Sequence, residues 1–309
     1  MIYYILFFVA LHNLMGYFIK NNSMSVPELC AILFILSLNK IPFAISMDET
    51  VPFGVNYSPT WGGNHLTVLD HGKQVQLLLD THSGAGFNSK KRYGSGIFRM
   101  KMKMPNKKDK GVLTTFYLTA VPIGQLIGDR HDEVDIEFLG GDGKQFILST
   151  NVFANDSGHR EQQFALWFDP TADFHIYEIL WNQHQIAFFV DKIPIRVYKN
   201  SKAEIGANYP SNPMHVETSI WNFTAWQGPV DWSQGPFLAN YRGFGIDACE
   251  HAPSNPQECN SPKYYWNAPR YWQLSGAQKF FLIGHVRRNY MVYDYCADKN
   301  KHFIECQPA

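Results

Sequence analysis

The stretch His131-Asp132-Glu133-Val134-Asp135-Ile136-Glu137-Phe138 decides how the rest of the chain is read. Side chains alternate across a strand, so Glu133, Asp135 and Glu137 share one face with His131, while Val134, Ile136 and Phe138 share the other. The apolar face belongs in a core. The acidic face holds three carboxylates with no base between them, and their mutual repulsion raises at least one pKa. A merely solvated edge strand would mix its charges. Glu133 and Glu137 stand four positions apart, which puts their Cα atoms about 13 Å from each other at ~3.3 Å per residue. Glutamates leaning toward each other close that to a carboxyl gap of roughly 5 Å, the separation of a retaining glycosidase pair and not the wider gap of an inverting one. Such a pair needs one ionised nucleophile and one protonated acid, and Asp135, midway, tunes both titrations.

Outward from this strand the pattern stays β. In residues 97–104, Phe98, Met100, Met102 and Met104 alternate with Arg99, Lys101 and Lys103, the mark of a half-buried strand. Residues 112–120, 146–153, 174–181, 185–190 and 193–198 are further strands, rich in β-branched and aromatic residues. Asp191-Lys192 and Asn182-Gln183-His184 sit where hairpin turns are expected. Helical periodicity shows only weakly, over residues 264–281. Many short strands with Gly and Pro punctuation predict an all-β sandwich.

The chain has 309 residues, 45% of them apolar, with 27 basic against 27 acidic side chains. No basic field exists to attract nucleic acid. The 8 Trp, 16 Tyr and 23 Phe fill a β core and also suit a cleft that stacks sugars. Residues 29–38 form a ten-residue apolar run, too short to span a bilayer, followed by Ala44-Ile45-Ser46. This reads as a secretory signal cleaved after Ser46, with a retained anchor as the alternative and Met24 as a possible true start. An exported chain without stable membrane association is expected. Beyond Cys30, in the leader, Cys249, Cys259, Cys296 and Cys306 allow three connectivities, of which the two local pairs, Cys249–Cys259 and Cys296–Cys306, are the simplest. Cys-x2-Cys and His-x3-His spacings are absent, so no metal and no cofactor is expected. Sequons at Asn155 and Asn222 fit export; that at Asn56 is followed by Pro59 and is weaker.

The stretch from His131 to Gly140 resembles the active-site signature of the plant xyloglucan endotransglucosylase/hydrolases of glycoside hydrolase family 16. Gly84-Ala85-Gly86-Phe87-Asn88-Ser89-Lys90, Arg160-Glu161-Gln162-Gln163-Phe164, Leu166-Trp167-Phe168-Asp169-Pro170-Thr171-Ala172-Asp173-Phe174-His175, Tyr241-Arg242-Gly243-Phe244 and Asn289-Tyr290-Met291-Val292-Tyr293-Asp294-Tyr295-Cys296 carry the likeness over most of the mature chain. The resemblance implies a concanavalin-like jelly-roll β-sandwich over 47–248, after an N-terminal extension and signal over 1–46. A disulfide-linked C-terminal extension over 249–309 completes the chain. It implies Glu133 as nucleophile, Asp135 as its assistant and Glu137 as general acid/base, with His131 in support. It also implies sugar contacts from Thr150, Asn151, Arg160, Glu161 and Trp221. Trp226 and Gly228 are looser matches because the segment after Asn222 is short. Lys301 stands where the family tends to have arginine and lacks the bidentate fork.

The implied activity is cleavage and religation of xyloglucan in the cell wall by a secreted monomer, with xyloglucan as donor and xyloglucan or an oligosaccharide as acceptor. Endo-hydrolysis of xyloglucan, transfer on another β-1,4-glucan, and lectin-like binding are the alternatives. Intact Glu133, Asp135 and Glu137 argue against a pure binder, and the short segment 154–159 before Arg160 favours transfer. Two departures border the cleft. Residues 123–130 look inserted, and Gly141-Asp142-Gly143-Lys144 replaces the sequon that most relatives carry.

Overall fold

Apolar side chains at every second position draw strands into two layers that share their inner faces. In chain order the strands are β1 (Tyr57–Trp61), β2 (Leu66–Leu69), β3 (Gln74–Leu79), β4 (Ala85–Ser89), β5 (Tyr93–Lys103), β6 (Val112–Thr119), β7 (His131–Leu139) and β8 (Ile147–Asp156). They continue with β9 (Gln162–Ala165), β10 (His175–Trp181), β11 (Gln185–Val190), β12 (Ile193–Lys199), β13 (His215–Asn222), β14 (Phe237–Arg242), β15 (Asp247–Glu250) and β16 (Met291–Asp294). The computed structural model describes residues 49–107, 109–121, 130–140, 145–224 and 228–307. The leader with its cleavage site, residues 123–129 of the insertion, residues 141–144 and Trp226 lie outside the described residues.

One sheet runs β1-β4-β13-β6-β7-β8-β9-β16, and the other runs β12-β11-β10-β5-β14-β3-β2, with β15 also on β5. Neighbours such as β6 and β13, far apart in the chain, show the crossing between sheets that makes a jelly-roll sandwich. The expected alternation in β5 holds: Phe98, Met100, Met102 and Met104 are all buried. Asp191 and Lys192 make the β11–β12 hairpin with φ of 48° and 69°, the left-handed pair that a two-residue turn requires. Val134, Ile136 and Phe138 of β7 are fully buried, and Phe138 meets Tyr177 of the opposite sheet edge-on at 4.8 Å. Phe87 of β4 likewise meets Tyr241 of β14 at 5.4 Å. Edge-on ring pairs of this kind add about 0.5–1.5 kcal/mol beyond their buried area.

The C-terminal segment is fastened to this sandwich. Cys249–Cys259 and Cys296–Cys306 are both bonded, as the local pairing predicts. Gly94 of β5 lies against Cys259, where an added Cβ would come within 2.9 Å of the cysteine Cβ, so the strand must be bare at that point. Ser95 beside it donates to the Cys259 carbonyl at 2.6 Å and accepts from the Trp266 indole at 2.9 Å. The weak helical reading of residues 264–281 is corrected in part. Residues 265–271 form short 3-10 turns, and the helix starts later, at Gly276–Phe281. Ser275 caps it, accepting from the Gln278 amide while the Gln278 side chain accepts from the Ser275 amide.

Candidate active site

Strand β7 lies in the middle of its sheet, so its outward face looks across a floor of neighbouring strands. Glu133 pairs in register with Thr119 of β6 and Phe153 of β8, Asp135 with Tyr117 and Asn151, and Glu137 with Thr115 and Ser149. Small hydroxyl residues beside Glu137 leave space for a chain to lie across it. The row extends through β13, where Thr115 pairs with Ser219 and Tyr117 with Glu217. The Tyr117 hydroxyl donates to Glu217 at 2.9 Å, and the Thr115 and Ser219 hydroxyls lie 2.8 Å apart.

The acids are crowded and poorly hydrated. Burial, then Glu133, then Glu161 push the Glu137 carboxyl up to about 8 from its ordinary 4.5. Asp135 is raised well above the usual carboxylate range by burial, Glu133 and Glu137, with the buried guanidinium of Arg196 pulling the other way. Glu217 is also raised, chiefly by burial. Glu137 thus holds a proton at neutral pH, which is the state a general acid needs. His131 places Nε2 3.6 Å from Glu133 Oε1 and stacks on Phe153 at 4.6 Å, so the imidazole is held at the Glu133 end of the row.

The remaining predicted residues divide. Asn151 lies on the acid face beside Asp135, and its Oδ1 accepts from the Val152 and Arg160 amides, each at 2.9 Å. Glu161 is close enough to raise both Asp135 and Glu137, and it accepts from Lys301 Nζ at 2.7 Å. Thr150 points the other way. It pairs with Ile136 on the core face, and its hydroxyl donates to the Gln162 carbonyl at 3.1 Å and accepts from Arg196 at 3.0 Å. Adjacent strand residues face opposite sides, so only Asn151 of the Thr150-Asn151 pair reaches the acids. Arg160 is buried and fully engaged by Asp156 at 2.8 Å, Glu305 at 2.6 Å and the Phe303 ring at 4.5 Å. It braces the cleft wall and does not reach into it.

Trp221 leans on Phe223 at 4.8 Å and lines a cavity of about 420 Å³ with Trp61, Tyr117, Ser219 and Asn222. Trp61 passes so close over Gly86 that an added Cβ there would lie 2.5 Å from its indole nitrogen. Gly228 has φ of +93°, a conformation that favours glycine. Asn155 is exposed and suits a glycan. Asn222 is exposed too, but it lines the cavity, so a glycan there would occupy the groove. Asn56 donates its side-chain amide to the Phe244 carbonyl at 2.8 Å. Sequence reasoning missed Trp61, Tyr117, Glu217 and Ser219. The alternation Glu217-x-Ser219-x-Trp221 against Val216, Thr218 and Ile220 was the available signal for β13.

Residues 53–234 match glycosyl hydrolases family 16. The chain is 47% identical over 268 residues to xyloglucan endotransglucosylase/hydrolase protein 2 of Arabidopsis thaliana, covering 83% of this chain and 89% of that protein. It is 42% identical over 285 residues to xyloglucan endotransglucosylase/hydrolase protein A of Phaseolus angularis, covering 89% of this chain and 94% of that one. Among solved structures, the Bacillus licheniformis β-glucanase superposes with a TM-score of 0.51 at 22% identity, over 63% of this chain and 92% of that one, a likeness of fold. A family match over most of the sandwich, and identity of this extent to plant proteins, place the chain in glycosyl hydrolases family 16, among the xyloglucan endotransglucosylase/hydrolases.

Proposed function

We propose that the chain is a retaining endo-transglycosylase acting on xyloglucan. Glu133 attacks the anomeric carbon of a bound donor chain while the bond to the leaving glycosidic oxygen breaks. Glu137 passes its proton to that oxygen, and a covalent glycosyl-enzyme remains. A hydroxyl of a second xyloglucan chain or oligosaccharide then attacks the same carbon, gives its proton to Glu137 and releases Glu133. Two inversions restore the original configuration. Asp135 sits between the two glutamates and ties their titrations together.

The observation that carries this reading is the row on β7, in which burial and the charges of Glu133 and Glu161 push Glu137 up to about 8 while Asp135 is raised beside it. Trp221 and Trp61 supply rings on which an acceptor sugar stacks, and an acceptor held there outcompetes water. The short segment between β8 and β9 is held by the Arg160–Asp156 pair, and its shortness favours transfer in this reading. The two disulfides and the exposed Asn155 support export to the cell wall. Among the described residues, no helix is long and apolar enough to cross a membrane. The test is incubation with xyloglucan and a labelled oligosaccharide. Label entering the polymer is the expected result. Loss of viscosity without label assigns hydrolysis, and neither change leaves binding alone.

A further inference from the structure

The outer face of β13 carries a carboxylate that the reaction described above does not use. Glu217 pairs in register with Tyr117 of β6, which pairs with Asp135 of β7, so the three stand in one line across the floor of the groove. Two positions further along β13, the hydroxyls of Ser219 and Thr115 answer each other at 2.8 Å, and Thr115 Oγ1 also accepts from the Ser219 amide at 3.0 Å. Strand β13 lies between β7 and the edge strand β1 that carries Trp61. A sugar chain reaching from the acids to Trp61 must cross it.

One oxygen of Glu217 is taken, since Oε2 accepts from the Tyr117 hydroxyl at 2.9 Å. Oε1 has no hydrogen-bond partner among the described residues and is not closed off from solvent, because Glu217 is only half-buried. No Lys or Arg pairs with this carboxylate among the described residues, and Glu133 lies near enough to oppose its charge. A neutral amide would serve the Tyr117 hydroxyl without that repulsion, so the Tyr117 bond alone does not account for the charge.

We infer that Glu217 is a specificity-determining residue of the groove, whose open oxygen accepts from a hydroxyl of the neutral sugar unit lying over β6 and β13. Placing that unit on the acceptor side rests on the transglycosylase reading. Strand β13 is two strands from β7, about 10 Å at ~4.8 Å per strand, so the unit held is close to the attacking end of the acceptor and not at its far end. Tyr117 pins the carboxylate, which then offers a charge-assisted bond with little side-chain freedom left to lose. A sugar acid at the same place would meet Glu217 and Glu133 together and be rejected.

The test titrates the unreactive Glu133→Ala chain with a xyloglucan oligosaccharide by calorimetry. Adding Glu217→Leu should weaken binding at least tenfold. Glu217→Gln, which keeps an oxygen but not the charge, should fall between the two. Adding Tyr117→Phe together with Glu217→Leu leaves neither partner unpaired, and binding should stay weak. Equal affinity with and without Glu217→Leu, or affinity restored by the paired change, would overturn the assignment. With Glu133 intact, Glu217→Gln should raise the KM of the labelled oligosaccharide at least threefold and leave the KM of the polymer donor unaltered. A rise confined to the donor would also overturn it. A wild-type chain that transfers no label would remove the transglycosylase reading, while the titrations would still decide whether Glu217 holds sugar.

Discussion

Two clusters of buried charge, one on β7 and one in the connection between β8 and β9, are handled in opposite ways. At the cleft wall, Arg160 is clasped by Asp156 and Glu305, and Glu161 is met by Lys301 at 2.7 Å. On β7, Glu133, Asp135 and Glu137 crowd together with no Lys or Arg in contact among the described residues, and their repulsion is left standing. Paired charge rigidifies a wall at little net gain in stability. Uncompensated charge weakens the fold but keeps a proton where chemistry needs one. The difference separates what the site is built on from what it does.

The largest effect expected is at the row itself. Glu133→Ala should lower transfer and hydrolysis together by roughly 10⁴-fold or more, measured with the labelled acceptor, because no other group can form the covalent intermediate. Appreciable residual turnover would remove Glu133 from its role. Glu137→Gln should cost about 10²–10⁴-fold. In the wild type, activity should fall as pH rises through about 8, where Glu137 gives up its proton.

The same titration has a consequence for stability. The folded-state pKa of Glu137 lies above its ordinary 4.5, so its protonated form favours the fold. That contribution is complete below about pH 4.5 and is lost as pH rises through about 8. Glu137→Gln should therefore flatten the decline in unfolding midpoint over this window and gain stability above it, a change visible in denaturant melts at several pH values.

At the wall, Arg160→Met should leave Asp156 and Glu305 without their cation and cost about 3–5 kcal/mol of unfolding free energy, read from denaturant melts. A loss well under that would mean that the clasp is dispensable. The smallest effect tests how the two clusters communicate. Glu161→Gln should shift the alkaline limb of activity to lower pH by removing a charge that raises Glu137. Lys301→Met should shift it to higher pH by leaving Glu161 uncompensated. An alkaline limb that moves in neither variant would show that the wall and the row are electrostatically independent.

The row and the strands β5 and β10–β12 were legible because their residues alternate cleanly between apolar and polar. Legibility failed where neighbours in sequence were treated as neighbours in space. Thr150 and Asn151 are adjacent, yet a strand turns them to opposite faces, and only the second belongs to the cleft. Tyr117 and Glu217 stand a hundred positions apart and become partners only through the β6–β13 pairing, which no local pattern announces. Strands β3, β4 and β13 were hidden by Gly, Gln, Asn, Ser and Thr, which the ladder accepts because sheet contacts override propensity. The helix after Ser275 was read too early because Trp and Tyr residues of the preceding turns imitate a helical stripe.

The β6–β13 pairing has a further consequence in the order of assembly. Strands β6, β7 and β8 leave the ribosome in sequence and can pair as a meander, but the sheet beside β6 stays open until β13 has been made. Loop closure over so long a segment is slow. The last strand, β16, can cover the edge of β9 only when almost the whole chain exists. The half-built groove has no Glu217, Ser219 or Trp221, and so lacks the side on which the proposed acceptor would lie. A chain caught at that stage would carry its acids without the opposite side of their groove.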